Sequence, residues 1–92
     1  MKWGILSTGT IAKNFAQTAK QMPDVQVQAV ASRSAGSAKA FAEAFAIPTA
    51  HDSYEALAND PNVDIVYVAT PHSRHYEDMR LLIGAGKHVL CE

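Results

Sequence analysis

Residues 3–12 read Trp-Gly-Ile-Leu-Ser-Thr-Gly-Thr-Ile-Ala, an apolar run that passes through a turn around Gly9 directly into helical spacing. Ile11, Phe15, Ala19 and Met22 carry that spacing onward. A strand feeding straight into a helix opens an α/β pattern, and that pattern repeated along the chain gives a parallel sheet. The same junction aims backbone N–H groups and the positive end of the helix dipole at one point beyond the strand. That point suits a pyrophosphate.

The rest of the chain repeats the alternation of short apolar runs and amphipathic stretches. Strand one covers about Lys2 to Ser7, and helix one runs from about Thr10 to Met22, stopped by Pro23. Strand two is Val25 to Ala31. Helix two is about Gly36 to Phe45, with Ala38, Phe41, Ala42 and Phe45 on one stripe. A short third strand, Thr49 to His51, follows the Ile47-Pro48 turn. Asp52 or Ser53 caps a brief helix carrying Tyr54 and Leu57, with Glu55 as a capping-box partner. Asp60-Pro61-Asn62 is a turn, and Asp64 to Ala69 is a β-branched run read as a strand covered on both faces. Pro71 opens a helix over about Ser73 to Ala85, with Tyr76, Met79, Leu82 and Ile83 inward and Gly84 and Gly86 at its end. His88 to Cys91 is strand five. Strands alternating with helices, right-handed crossovers and a first βαβ unit of about 30 residues favour a Rossmann-like α/β fold, a doubly wound parallel sheet of five strands in order 3-2-1-4-5. Glu92 follows strand five at the edge where such sheets carry ligands.

Composition removes several classes of function. The 92 residues suffice for one small domain, and 48% hydrophobic content fits a globular chain. A net charge of −1 without charge blocks argues against a nucleic-acid partner. No apolar run approaches the roughly 20 residues of a membrane span, and no signal-peptide pattern opens the chain. The single cysteine, Cys91, excludes an intrachain disulfide and fits a cytoplasmic setting. It is read as a strand-end packing residue.

Three segments meet at the carboxyl edge of such a sheet. The dinucleotide fingerprint G-x-G-x-x-G/A uses its first glycine for the turn, its second for close approach of pyrophosphate and its third for helix packing. Ser7, Gly9 and Ala12 stand at those positions; Gly9 and Ala12 fit, and Ser7 departs. After strand two come Ser32-Arg33-Ser34 and no carboxylate. A carboxylate there favours the ribose hydroxyl of NAD, whereas Arg33 suits the 2′-phosphate of NADP and Lys39 adds to the cationic patch. Preference for NADP over NAD follows. After strand four, Thr70 and Pro71 are candidates to line the nicotinamide ribose. His72 and His75 share a helix face; no third ligand stands at metal-binding spacing, and His75 is read as a cofactor or substrate neighbour, with a surface histidine as the alternative. No tyrosine is followed four residues on by lysine, which excludes the Tyr-x-x-x-Lys acid/base arrangement.

The motifs Lys-Trp-Gly-Ile-Leu-Ser-Thr-Gly-Thr-Ile-Ala, Val-Ala-Ser-Arg-Ser, Ser-Tyr-Glu-Ala-Leu, Asp-Pro-Asn-Val-Asp, Ala-Thr-Pro-His-Ser-Arg-His and Gly-Lys-His-Val-Leu-Cys-Glu occur in that order. Together they resemble the N-terminal NAD(P)-binding domain of the glucose-fructose oxidoreductase / inositol dehydrogenase (Gfo/Idh/MocA) family across essentially the whole chain. The resemblance is greatest to its dihydrodiol / D-xylose dehydrogenase branch, which uses NADP. It implies cofactor contacts at Ser7, Thr8, Gly9, Thr10, Ile11 and Ala12, at Ser32, Arg33 and Ser34, and at Thr70, Pro71 and His75. It also implies a two-domain enzyme, often oligomeric, whose second domain binds a small sugar, polyol or diol. Glu92 matches the first residue of the family's Glu-Lys-Pro motif; the lysine and the downstream acid/base residues lie beyond it. No catalytic residue is therefore assigned, and the isolated chain is expected to bind cofactor weakly or not at all and to show no turnover. A non-catalytic nucleotide-sensing module on the same fold is the alternative reading.

Overall fold

The computed structural model describes residues 2–70 and 72–91, and their side chains except at 35, 72–75 and 91. Pro71, Glu92 and the side chains of His75 and Cys91 therefore lie outside the described residues. The elements run β1 (Lys2–Leu6), α1 (Thr10–Lys20), β2 (Gln26–Ala31), α2 (Ala35–Phe45), β3 (Thr49–His51), α3 (Tyr54–Ala58), β4 (Ile65–Val68), α4 (His72–Gly84) and β5 (His88–Cys91). The sheet has five strands in the order β3-β2-β1-β4-β5, and every pairing is parallel. This is the order expected from the sequence.

Side-chain alternation along the central strands feeds two cores. Ile5 and Val30 face α1 and α2, packing with Ala12, Ala16, Phe41, Ala42 and Ile47. Leu6, Ala29, Ala31, Val66 and Val68 face the other way, onto Leu57 and Leu82. Alanine at 12, 16 and 19 is the buried face of α1, which lets the helix lie close to the sheet. Phe15 anchors it further, with ring centroids 5.3 Å from Trp3 and 4.2 Å from Tyr67. Ile11 and Met22, counted on the apolar stripe from spacing, are exposed.

The helix ends show how local chemistry sets boundaries. Ser34 caps α2, its Oγ accepting from the Ser37 amide, so the helix starts one residue earlier than the spacing suggests. Ser53 caps α3, its Oγ accepting from the Ala56 amide at 3.1 Å. That choice of cap puts Glu55 one position too early for the expected capping box. The turn after α4 uses Gly86 at φ +82°, a conformation that glycine adopts without penalty.

α4 corrects the sequence reading most clearly. Of Tyr76, Met79, Leu82 and Ile83, only Leu82 is buried; Tyr76 is 72% exposed and Ile83 60%. Asp78 takes the inward position, 2% exposed, and accepts a 2.5 Å hydrogen bond from Thr70 Oγ1. A buried polar pair thus sets the rotation of the helix, and hydrophobic periodicity carries no signal for it.

Candidate functional site

The carboxyl ends of four strands are laced into one rim. The Ser7 amide donates to Ala31 O at 2.8 Å, Ala69 N to Leu6 O at 3.1 Å, and Ser32 N to His51 O at 3.2 Å. The segments after β1, β2, β3 and β4 therefore leave the sheet side by side. Gly9, Arg33 and Thr70 belong to those segments.

In the loop after β1, the positive φ falls on Ser7, at 100°. The first fingerprint position carries the turn, as its geometry demands, and here a serine bears the strain that glycine would avoid. Gly9 needs no such freedom. It is the N-cap of α1 with φ −77° and ψ −171°, an extended conformation open to any residue. A Cβ built there would meet nothing nearer than Ser7 Oγ at 4.0 Å. The backbone leaves open space at this position, in front of amides that begin a helix and receive no side-chain cap. Thr8 is half-buried, Thr10 and Ile11 are exposed at the helix start, and Ala12 is fully buried against the sheet. The third position thus serves helix packing, as expected.

After β2, the two serines are engaged in local bonds. Ser32 Oγ accepts from the Ser34 amide at 3.3 Å, and Ser34 caps α2. Arg33 is exposed between them, its guanidinium carbon 5.9 Å from the centroid of the Tyr54 ring. An arginine over an aromatic face is steadied without losing its hydrogen-bonding edge. Sequence spacing gave no hint of this partnership, which bridges 21 positions and depends on β2 lying next to β3. Lys39 lies further along α2, in a depression shared with Ala50, His51 and Asp52.

After β4, Thr70 is 5% exposed and its hydroxyl donates to Asp78. The hydroxyl expected to line a ribose is directed into the fold. The outer end of the rim is fixed through His51, whose Nε2 lies 2.9 Å from Asp60 Oδ2. Burial by itself raises the Asp60 carboxyl. The hydrogen bonds from His51 and the Asn62 amide, with the charges of His51 and Lys87, outweigh it and hold the group below its ordinary value of 3.8. Lys87 Nζ also donates to Asp60 O and Val63 O, both at 2.6 Å, closing the turn that precedes β4.

A doubly wound sheet with a glycine-fronted helix start and an arginine after its second strand defines a nucleotide-binding α/β domain. The chain belongs to the Gfo/Idh/MocA oxidoreductase family, whose description is an oxidoreductase family with an NAD-binding Rossmann fold and whose model matches residues 1–92. It is 47% identical to mouse trans-1,2-dihydrobenzene-1,2-diol dehydrogenase and 44% identical to the human enzyme of the same name, over its whole length in each case. It spans 28% of the length of those relatives. Among solved structures it superposes with a TM-score of 0.93 and 34% identity on a 3-ketoreductase from Actinomadura kijaniata in complex with TDP-benzene and NADP, covering 99% of this chain and 29% of that one. The chain is thus an NAD(P)-binding domain of this family. Among the described residues, no helix is long and apolar enough to cross a membrane.

Proposed function

We propose that this chain binds NADP(H) along the rim, as the N-terminal part of a longer, two-domain and oligomeric cytoplasmic enzyme. The reaction is reversible hydride transfer to or from a hydroxyl or carbonyl carbon of a sugar, polyol or trans-diol. The observation that carries the reading is Gly9, a glycine that the backbone does not require, held open before the start of α1. The pyrophosphate lies there, against the amides of residues 9–12, and Ser7 and Thr8 shape the approach. Arg33, steadied by Tyr54, faces the ribose 2′-phosphate from the segment it shares with Ser32 and Ser34. Thr70, Pro71, His75 and Glu92 belong to the segments on the nicotinamide side.

When bound, the nicotinamide supplies or accepts the hydride, and this domain's own work is to hold and orient it. The A. kijaniata ketoreductase, solved with NADP, supports the choice of cofactor. So does the charge at the second-strand end. A cation there gains a charge-assisted contact with a 2′-phosphate, typically about 1.5–3 kcal/mol, that a ribose hydroxyl does not offer.

With four strand ends laced within the chain, weak binding rather than none is expected. Amide chemical shifts of this chain during titration with NADPH and with NADH test it. Tighter binding of NADPH, abolished as a preference in Arg33→Ala, is the expected result; equal affinities for the two in the unaltered chain contradict it.

A further inference from the structure

We propose that Lys13 is a second cation for the ribose 2′-phosphate, acting from α1 across from Arg33. The inference rests on the nucleotide reading above and adds a specificity-determining residue to it. The Lys13 amide donates to Gly9 O at 3.0 Å, so the residue stands one helical turn beyond the glycine that fronts the pyrophosphate. Its side chain lines an open groove of about 310 Å³ together with Thr8 of the loop, Ser37 of the first turn of α2, and Phe41. The groove runs along α2 from Ser37 to Phe45 and opens toward the phosphate loop at Thr8. A ribose attached to a pyrophosphate at Gly9 and reaching toward the second-strand end must pass between those two segments.

The two cations reach this region from opposite faces of the sheet. α1 and α2 cover one face, where Lys13 lies; Arg33 leans over Tyr54, which packs on the other core. Lys13 is exposed, and among the described residues no carboxylate pairs with it. A lysine on a flexible stem serves as a mobile point charge, while the arginine provides the fixed, directional contact. A dianionic 2′-phosphate draws on both. A neutral 2′-hydroxyl at the same point gives Lys13 nothing to neutralise, so its effect is confined to the phosphorylated ribose.

The test compares 2′,5′-ADP with 5′-ADP as probes of this chain, followed by amide chemical shifts, in the unaltered protein, Lys13→Met and Lys13→Arg. The expected result is tighter binding of 2′,5′-ADP, reduced about fivefold or more by Lys13→Met, while 5′-ADP affinity stays within about twofold. Lys13→Arg restores most of the loss, and the advantage shrinks as salt rises, because the contact is solvent-exposed. An equal loss for both nucleotides, or a loss for neither, overturns the inference. Binding of 5′-ADP with no gain from the 2′-phosphate overturns it and leaves the phosphate-loop reading intact. Failure of the unaltered chain to bind either nucleotide overturns both.

Discussion

At the scale of single residues, Ser7 and Gly9 exchange the roles that their identities suggest. The serine occupies φ 100°, where an L side chain is strained, and the glycine sits in an ordinary extended conformation. Such strain costs on the order of 1–3 kcal/mol, partly offset in a glycine replacement by the roughly 0.5–1 kcal/mol of extra chain entropy that glycine loses on folding. Ser7→Gly is therefore expected to raise stability by about 1 kcal/mol, read as a higher urea midpoint with unchanged slope. A lower midpoint would show that the Ser7 side chain contributes more than its backbone costs.

At the scale of elements, the sheet and its helices depend on close approach at defined points. Gly4 lies in β1 under α3, where an added Cβ would stand 3.0 Å from both Leu57 Cδ1 and Val63 Cγ1. Both neighbours are buried, so neither swings away freely. Gly4→Ala is expected to destabilise by about 1–3 kcal/mol through overpacking, measured by thermal unfolding, with far-ultraviolet circular dichroism unchanged. The elements themselves were legible in the sequence because strand and helix periods differ and crossovers have a fixed hand. The start of α1 and the strand order followed from those facts, and the packing role of Ala12 from its place in the glycine fingerprint. What was not legible depends on contacts between distant positions. The rotation of α4 is set by Asp78 meeting Thr70, and the outlook of Arg33 is set by Tyr54 on a neighbouring element. Asp78, of a type usually exposed, becomes the inner face of a helix once a hydroxyl waits for it. The Ser7 conformation was hidden for another reason: its residue type argues against the geometry that its place in the loop imposes.

At the scale of the whole molecule, the Asp60 cluster ties the end of β3, the turn before β4 and the segment entering β5 into one unit. Because Asp60 is held below 3.8 in the folded state, its contribution to stability is present above that value and is lost as pH falls through the folded value. The urea midpoint is expected to drop below about pH 4, and Asp60→Asn is expected to remove part of that dependence while lowering stability at neutral pH. An unchanged acid profile in the variant would assign the effect to other carboxylates. The molecule's central property, though, is a rim left open in front of Gly9. Its most direct test is to titrate NADPH into the unaltered chain and into Gly9→Ala, following amide shifts, with unfolding measured in parallel. The structure leaves room for the methyl, so the variant should fold with stability within about 1 kcal/mol of the original. It should also lose at least about tenfold in affinity, because that methyl would occupy the space proposed for the pyrophosphate. A folded Gly9→Ala that binds NADPH as well as the unaltered chain would contradict the account.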